Sequence, residues 1–592
     1  MSRLPLGAFA ALAVATVAAF FVTQHLKVST PLIAGTPKPT PSVISPASIG
    51  CGGAHRVAQF SFYLLHRADD VAVYVLDSSG NIVRTLATGR HMRRGVRNPD
   101  GDFPWNGRTE DGRVAPDGTY YFRIALRHQG RTIDLTTTPV QVKSTPAHPI
   151  VSGVSPSLIP APGHGVTIRY RGNEQRGVTV RLYRTDLPGA PRAVKSYLAP
   201  AGGARWDGRI AQRPAPAGVY LVGLQSTDGA CNTGRFPTAL PPRPGSTAHA
   251  GITVRYLAVQ PPLYPVPAGS AATVLVDSRQ QPYRWTLRRA GARADAGRGN
   301  GSDFALHVAL PRRGPGAYVL SLHSGSHSTS VPLLASSAAG SGHGAPILVV
   351  LPALTWQGLN PVDDDGDGIP NTLASGEPIA TNRVLAGGLP SGFDQEEALL
   401  AHLDSAHLPY ELTSDLALAA GVGPPLSGHR GVVLAGSERW LPLALSSSLR
   451  AFVQSGGHLL SLGLDSLRRR VTLRGAEASG ATAPAAADIF GLRPGALTRT
   501  HDLITVSDDR LGIFAATSGA LPGFGVLQPF TAGPGTSLAS AAGAGSGGAA
   551  VAGIRLGNGL VVEVGLPGFG LALAHDVDAQ ELVGRLWQVL GR

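Results

Sequence analysis

"VAVYVLDSSGNIVRTL", residues 71–86, alternates apolar and polar side chains, with Val71, Val73 and Val75 on one face, then turns at Asp77-Ser78-Ser79-Gly80-Asn81 and resumes with Ile82 and Leu86. Period-two alternation on both sides of a glycine-containing turn predicts a β-hairpin, because successive strand side chains point to opposite faces. "FPWNGRTEDGRVAPDGTYYFRIAL" (103–126) adds turns at Asp111-Gly112 and Asp117-Gly118 before another alternating strand. Short strands divided by such turns imply a small β-sandwich over 51–146.

The layout recurs about a hundred residues later. "GVTVRLYRTD" (177–186) and "ARWDGRIAQRPAPAGVYLVGLQS" (204–226) repeat the order strand, Trp-Asp/Asn-Gly, Pro-x-Gly-x-Tyr, strand. Trp105-Asn106-Gly107 matches Trp206-Asp207-Gly208, and Pro116 to Tyr120 matches Pro216 to Tyr220, which places a second sandwich at 147–242. Both copies resemble the immunoglobulin-like domain of flagellar hook-capping proteins. The resemblance implies a spacer or interaction module, with the Trp and Tyr residues as core anchors. Further short strands between Gly and Pro turns, such as "AATVLVDS" and "GAYVLSLHS", predict a third sandwich at 246–335, and "SSAAGSGHGA" a linker at 336–345.

Ahead of the sandwiches, Arg3 precedes an apolar run from Leu4 to Val22, about the length that crosses a bilayer. Bulky Phe20, Phe21 and Val22 stand where a cleavage site would want small residues, so an uncleaved anchor over 1–28 is favoured over a signal peptide. A Pro/Ser/Thr-rich segment, 29–50, reads as an extended stalk. The expected localisation is therefore the cell membrane, single-pass, with the bulk of the chain outside. In that oxidising setting Cys51 and Cys231, the two cysteines of the chain, are candidates for a disulfide, with two unpaired residues as the alternative.

The chain carries 51 Lys and Arg against 38 Asp and Glu, a net charge of +13 spread along its length. Such a balance suits an anionic surface such as a cell-wall polymer or lipid headgroups, or reflects genomic Arg bias. No nucleic-acid motif accompanies it, so nucleic acid is not an expected partner.

Residues 346–592 differ in kind. "PILVVLPA" (346–353) is a continuous apolar run of the sort found in strands buried on both faces, followed by helical "DQEEALLAHLDSAH" (394–407), strand "RGVVLAG" (430–436), helix (442–457) and strand "HLLSLGL" (458–464). Alternation of this type predicts an α/β doubly wound C-terminal domain. In that reading Asp394 caps a helix, and Glu396 and Glu397 are charges of its first turn.

Two segments leave strands of this domain, "TWQGLNPVDDDGDGIPN" (355–371) and "GSERW" (436–440). They resemble the C-terminal domain found in the large subunit of N,N-dimethylformamidase, a relative of the class I glutamine amidotransferase-like fold. The resemblance implies a catalytic iron held by tyrosines and a glutamate, the latter at Glu438. It also puts Leu359 where the family has a ligand tyrosine, so the iron set is incomplete. An amidotransferase cysteine is missing too; Ser437 stands near that place and is a candidate nucleophile, with His575 or His429 as base.

Asp363-x-Asp365-x-Asp367-Gly368 alternates side chains so that their oxygens can converge on one calcium ion, with Asn371 as a further ligand. Ala374 stands where an EF-hand would place its glutamate. The alternative is a solvated acidic turn. Iron or zinc is the less favoured cofactor, at Glu438 with Asp363 or Asp365. The expected function is a membrane-anchored extracytoplasmic binding or scaffold protein; the rival is a metal-dependent hydrolase of amide C–N bonds at the cell surface.

Overall fold

The computed structural model describes residues 4–29, 31–65, 69–95, 102–172, 177–312, 314–338, 345–544 and 547–592. Most of the chain is strand. Helix α1, Leu4–Ser29, stands apart with every side chain from Gly7 to His25 exposed. That segment of 19 residues is long and apolar enough to cross a membrane. Residues 339 to 344 of the expected linker lie outside the described residues.

In the first sandwich, strands Asp69–Leu76 and Ile82–Met92 form the predicted hairpin, and Gly118–Leu126 pairs antiparallel with the first of them. Asp77 closes the turn by accepting the N–H groups of Ser79 and Asn81 at 2.8 and 2.9 Å. The two copies of the repeat place their aromatic residues alike. Trp105 donates its indole N–H to the Arg108 carbonyl and Trp206 to that of Arg209, each at 2.9 Å. Tyr120 and Tyr220 donate to the carbonyls of Pro116 and Pro216, at 2.8 and 2.7 Å. Each Trp packs on its Tyr, with ring centroids 5.0 and 5.4 Å apart. The polar tips are thus satisfied while the ring bodies fill the core.

Residues 31–49 are not a free stalk. Leu32, Ile33 and Ile44 are buried in the first sandwich core, Thr40 and Gln59 exchange backbone hydrogen bonds at 2.9 Å, and Val43–Ile44 pairs parallel with Val140–Val142. Composition suggested an extended spacer; a few well-placed apolar side chains, which composition averages away, attach it as an edge instead. The second sandwich is also longer than expected. Gly251–Val254 pairs with Gly218–Leu221 and with Leu158–Ile159, so the third sandwich starts only at Ala258–Gln260.

Cys51 and Cys231 form a disulfide that ties the first sandwich to the second. The seam around it is closely fitted. Ser48 donates to the Cys231 carbonyl at 2.8 Å, Asn232 to the Lys143 carbonyl at 2.8 Å, and a Cβ on Gly50 would stand 2.1 Å from the Cys231 oxygen.

The C-terminal region is built on an eleven-stranded sheet. Five strands run parallel: β1 (Ile347–Leu351), β2 (Glu411–Ser414), β3 (Gly431–Leu434), β4 (His458–Ser461) and β5 (Gly559–Val564), in the order β2-β1-β3-β4-β5. Alternation along β1 sends Ile347, Val349 and Leu351 into one core and Leu348 and Val350 into another. Helix α2 (Ala353–Leu359) follows β1. Helix α3 (Phe393–Ser405) covers the first face, α4 (Asp415–Ala420) follows β2, and α5 (Leu443–Gln454) covers the second face. Helices α6 (Phe569–Ala572) and α7 (Val577–Leu590) end the chain on the first face.

The uniform alternation expected over 346–592 stops after β4. Between β4 and β5 the chain adds strands such as Ile504–Asp509, Leu538–Gly543 and Ala549–Leu556, which extend the sheet antiparallel from β5. Their small residues, as in "LASAAG", carry little intrinsic strand signal, and their state is decided by the neighbouring edge.

The third sandwich joins this region through apolar residues such as Ala290, Val319 and Leu334, which share its first core, and through ion pairs. Arg289 donates twice to Asp404, at 2.6 and 2.9 Å, and Arg288 to Glu397 at 2.7 Å.

Candidate functional site

In this strand order the chain leaves β1 toward one neighbour and β3 toward the other, and a crevice opens beyond their carboxyl ends. A cavity of about 350 Å³ lies there. Its walls come from the exits of four parallel strands: Pro352, Thr355 and Trp356 after β1; Gly436 and Ser437 after β3; Leu464 and Asp465 after β4; and Leu566 to Gly570 after β5. Helix α3 closes it with Gln395, Glu396 and Leu399.

Ser437 reaches this cavity, as its position after a strand predicted, and its Oγ accepts the Leu464 N–H at 3.2 Å. It has no base. His429 precedes β3, at the opposite end of the strand, with Nδ1 3.0 Å from the Pro425 carbonyl. His575 is exposed beyond α6, and no histidine lines the cavity among the described residues. The serine–histidine arrangement is therefore not assembled.

Glu438 turns away from the cavity and is fully buried, against Asp415. Two carboxylates cannot hydrogen-bond without a proton between them. Asp415 accepts the N–H groups of Leu354 (3.0 Å) and Leu416 (2.7 Å), so it keeps the charge, although burial pushes it up to about 6. Burial first, then the neighbouring charge of Asp415, pushes Glu438 well above the ordinary carboxylate range, and it is the proton donor of the pair.

Glu396 departs most from its expected place. It lies in the first turn of α3, whose N-cap is Gly392 rather than Asp394, and it points inward with 2% of its surface exposed. Burial holds it well above the ordinary range, beside the Trp356 indole. Its carboxyl fills the space over Gly436, where a Cβ would stand 2.1 Å from Oε1. Glu397 instead pairs with Arg288.

An iron or zinc site at Glu438 does not fit these residues. Glu438 is buried against Asp415 outside the cavity lining, Leu359 lines the cavity where a phenolate would be needed, and the lining offers no Cys, His or Tyr among the described residues. Asp363 and Asp365 are not brought to it either.

Those aspartates form a separate cluster. One carboxylate oxygen each from Asp363, Asp365 and Asp367 lies within 4.8 Å of the others, a donor set that fits a hard cation. Asp363 accepts the N–H groups of Gly366 at 2.8 Å and Gly368 at 3.0 Å; burial, with the like charge of Asp367, pushes it up to about 7. Asn371 closes the base of the loop, its amide oxygen accepting the Asp364 N–H at 2.6 Å. The loop rests on the second sandwich. Gly251 donates its N–H to the Gly366 carbonyl at 2.9 Å, and Thr185 its hydroxyl to the Gly368 carbonyl at 2.7 Å.

Arg383, which carried no sequence signal, organises that base. It is 7% exposed, pairs with Asp364 at 2.5 Å, and donates to the carbonyls of Gln357, Asn360 and Asn371 at 2.8 to 3.0 Å. A lone arginine between Asn382 and Val384 looks like surface charge; only the buried carbonyls around it show otherwise.

Comparison with known proteins places the first sandwich. The FlgD Ig-like domain family matches residues 49–130. The basal-body rod modification protein FlgD of Salmonella typhimurium (strain LT2) is 29% identical over 119 residues, 20% of this chain and 48% of that protein. FlgD of Escherichia coli (strain K12) gives the same identity and coverage. The chain thus spans about half the length of these curated relatives. Among solved structures, the β-galactosidase from Bacillus circulans sp. alkalophilus covers 41% of this chain and 31% of its own, at 14% identity and a TM-score of 0.26. The exo-β-1,4-mannosidase from Opitutaceae bacterium strain TAV5 covers 42% and 36%, at 14% identity and 0.25. Overlaps this low carry no argument about function. What the chain shares with characterised proteins is a FlgD-type Ig-like domain at its first sandwich.

Proposed function

We propose that this chain is a membrane-anchored, extracytoplasmic binding protein. In this reading α1 is the anchor, the sandwiches are a rigid riser, and the C-terminal region is a doubly wound, N,N-dimethylformamidase-like domain that binds without the family's iron chemistry. The observation that carries the reading is the cavity at the carboxyl edge, whose lining among the described residues has Ser437 but no histidine, cysteine or tyrosine, with Glu438 buried outside it. The Cys51–Cys231 bridge supports an oxidising compartment. Calcium at Asp363, Asp365 and Asp367 would act as a brace, since the loop sits on the second sandwich; Glu438 has no part in it. A cell-wall or surface component is the expected partner.

The hydrolase reading keeps one observation in its favour, the Ser437 hydroxyl at the cavity wall. One experiment decides between them: metal content and amide hydrolysis of the detergent-solubilised full chain, with Glu438→Gln alongside. Binding alone predicts no hydrolysis and no Glu438-dependent iron or zinc. Turnover, or iron or zinc lost in the variant, overturns the reading.

A further inference from the structure

Asp465 and Arg439 line the cavity, and beside them, outside the lining, Arg468 and Arg469 join Arg439 around the Asp465 carboxylate. Arg469 donates to Asp465 at 2.7 Å, Arg468 donates to its other oxygen, and Arg439 stands 3.7 Å away, beyond hydrogen-bond reach. Burial raises the Asp465 carboxyl, but Arg468 and Arg469 outweigh it and hold it below the ordinary value, so it is ionised. One negative charge among three positive ones leaves an excess of about two. The acid lining the cavity deeper in, Glu396, is neutral through burial and does not cancel that excess.

Arg439 is the member with donors to spare. Its backbone N–H is pinned to the Thr355 hydroxyl at 3.0 Å, which fixes where the side chain starts. Among the described residues its guanidinium makes no hydrogen bond, and the side chain is 36% exposed. Gln528 accepts the Asp465 N–H at 2.9 Å and donates to the Gly495 carbonyl at 3.0 Å. Behind the charge the walls are apolar: Trp356, Leu399, Leu462, Leu566 and Phe569.

We propose that this cavity binds a small organic carboxylate with an apolar body, the carboxylate taken by the free fork of Arg439 and the body by the Trp356–Phe569 walls. This rests on the reading of the cavity as a binding site. A planar fork matches a carboxylate bidentately. With one guanidinium and mostly apolar walls behind it, the cavity suits one planar anion with an apolar body better than a phosphate, whose extra oxygens would lose water against those walls. A volume of 350 Å³ holds roughly a dozen non-hydrogen atoms at the volume each takes in a liquid.

The test is calorimetric titration of the full chain in detergent with benzoate, its neutral isostere benzamide, and inorganic phosphate. Benzoate should bind at least about tenfold more tightly than either, the worth of a charge-assisted hydrogen-bonded pair. Its affinity should fall with added salt while that of benzamide does not. Arg439→Gln should erase the preference for benzoate, and Arg439→Lys should keep part of it. Benzamide or phosphate binding as well as benzoate overturns the proposal, as does benzoate binding unchanged in Arg439→Gln, or no benzoate binding at about 10 mM. If Arg439→Gln fails to fold, the salt dependence and the benzoate-to-benzamide ratio of the unaltered chain decide. None of these readouts depends on metal content or hydrolysis, so the proposal and the functional reading fail separately.

Discussion

Asp363, Asp365 and Asp367 crowd together on a loop against the second sandwich, whereas Glu396 lines the cavity and Asp415 and Glu438 are buried outside its lining. The two groups have the same chemistry and opposite handling. Backbone N–H groups are aimed at the loop carboxylates, and three oxygens converge on a point where a cation could stand. Of these three, Asp415 has backbone N–H partners among the described residues, while burial holds Glu396 and Glu438 well above the ordinary carboxylate range. Exit from strands onto the same edge of the sheet suggested that the loop would supply what Glu438 lacked. What an acid does is instead set by the donors around it and by its access to water.

The comparison can be broken most sharply at Asp415. Asp415→Ala removes the acceptor of two buried N–H groups and the partner of Glu438, and should destabilise the C-terminal region by about 3–5 kcal/mol. A urea titration followed by tryptophan fluorescence reads this; an unshifted midpoint would show that the pair is dispensable.

At the loop, calcium at about a hundred times its dissociation constant should stabilise the chain by about 2.7 kcal/mol. Thermal unfolding with and without chelator measures it, and Asp365→Asn should abolish most of the gain. Equal unfolding in calcium and chelator removes the brace.

Gly251→Ala tests the seating of the loop without touching a carboxylate. Its Cβ would lie 2.5 Å from the Asp363 carboxylate and from the Gly368 nitrogen, so the loop must lift, at about 1–3 kcal/mol. The variant should show reduced calcium stabilisation.

The smallest effect per step is a pH slope. The native carboxyls of Glu396 and Glu438 hold protons more tightly than the unfolded chain does. Their stabilising contribution is complete below the ordinary value of 4.5 and is lost as pH rises through the native values, at about 1.4 kcal/mol per pH unit for each proton. Glu438→Gln keeps a donor toward Asp415 and should flatten that slope; a variant with the original slope would place the titration elsewhere.

Much of the sandwich region was legible in the residues. The paired Trp and Tyr positions, the Asp77 turn and the alternating strands are local patterns whose structural cost and reward lie within a few residues. The acidic loop was legible as a cluster for the same reason, since alternate positions in a short turn must converge. Glu396 was not, because helix position alone makes it a surface charge; Arg383 and Arg439 were not, because nothing beside them in the chain marks what they face.

The amino-acid sequence by itself determined the apolar N-terminal helix, the two matching sandwich repeats and the spacing that brings three aspartates together, all consequences of short-range periodicity and turn chemistry. Only the tertiary structure decided that residues 31–49 pack as an edge, that the acidic loop rests on the second sandwich, and that Glu438 meets Asp415 instead. Those outcomes depend on which distant surfaces meet, and burial and charge act through space without regard to separation along the chain.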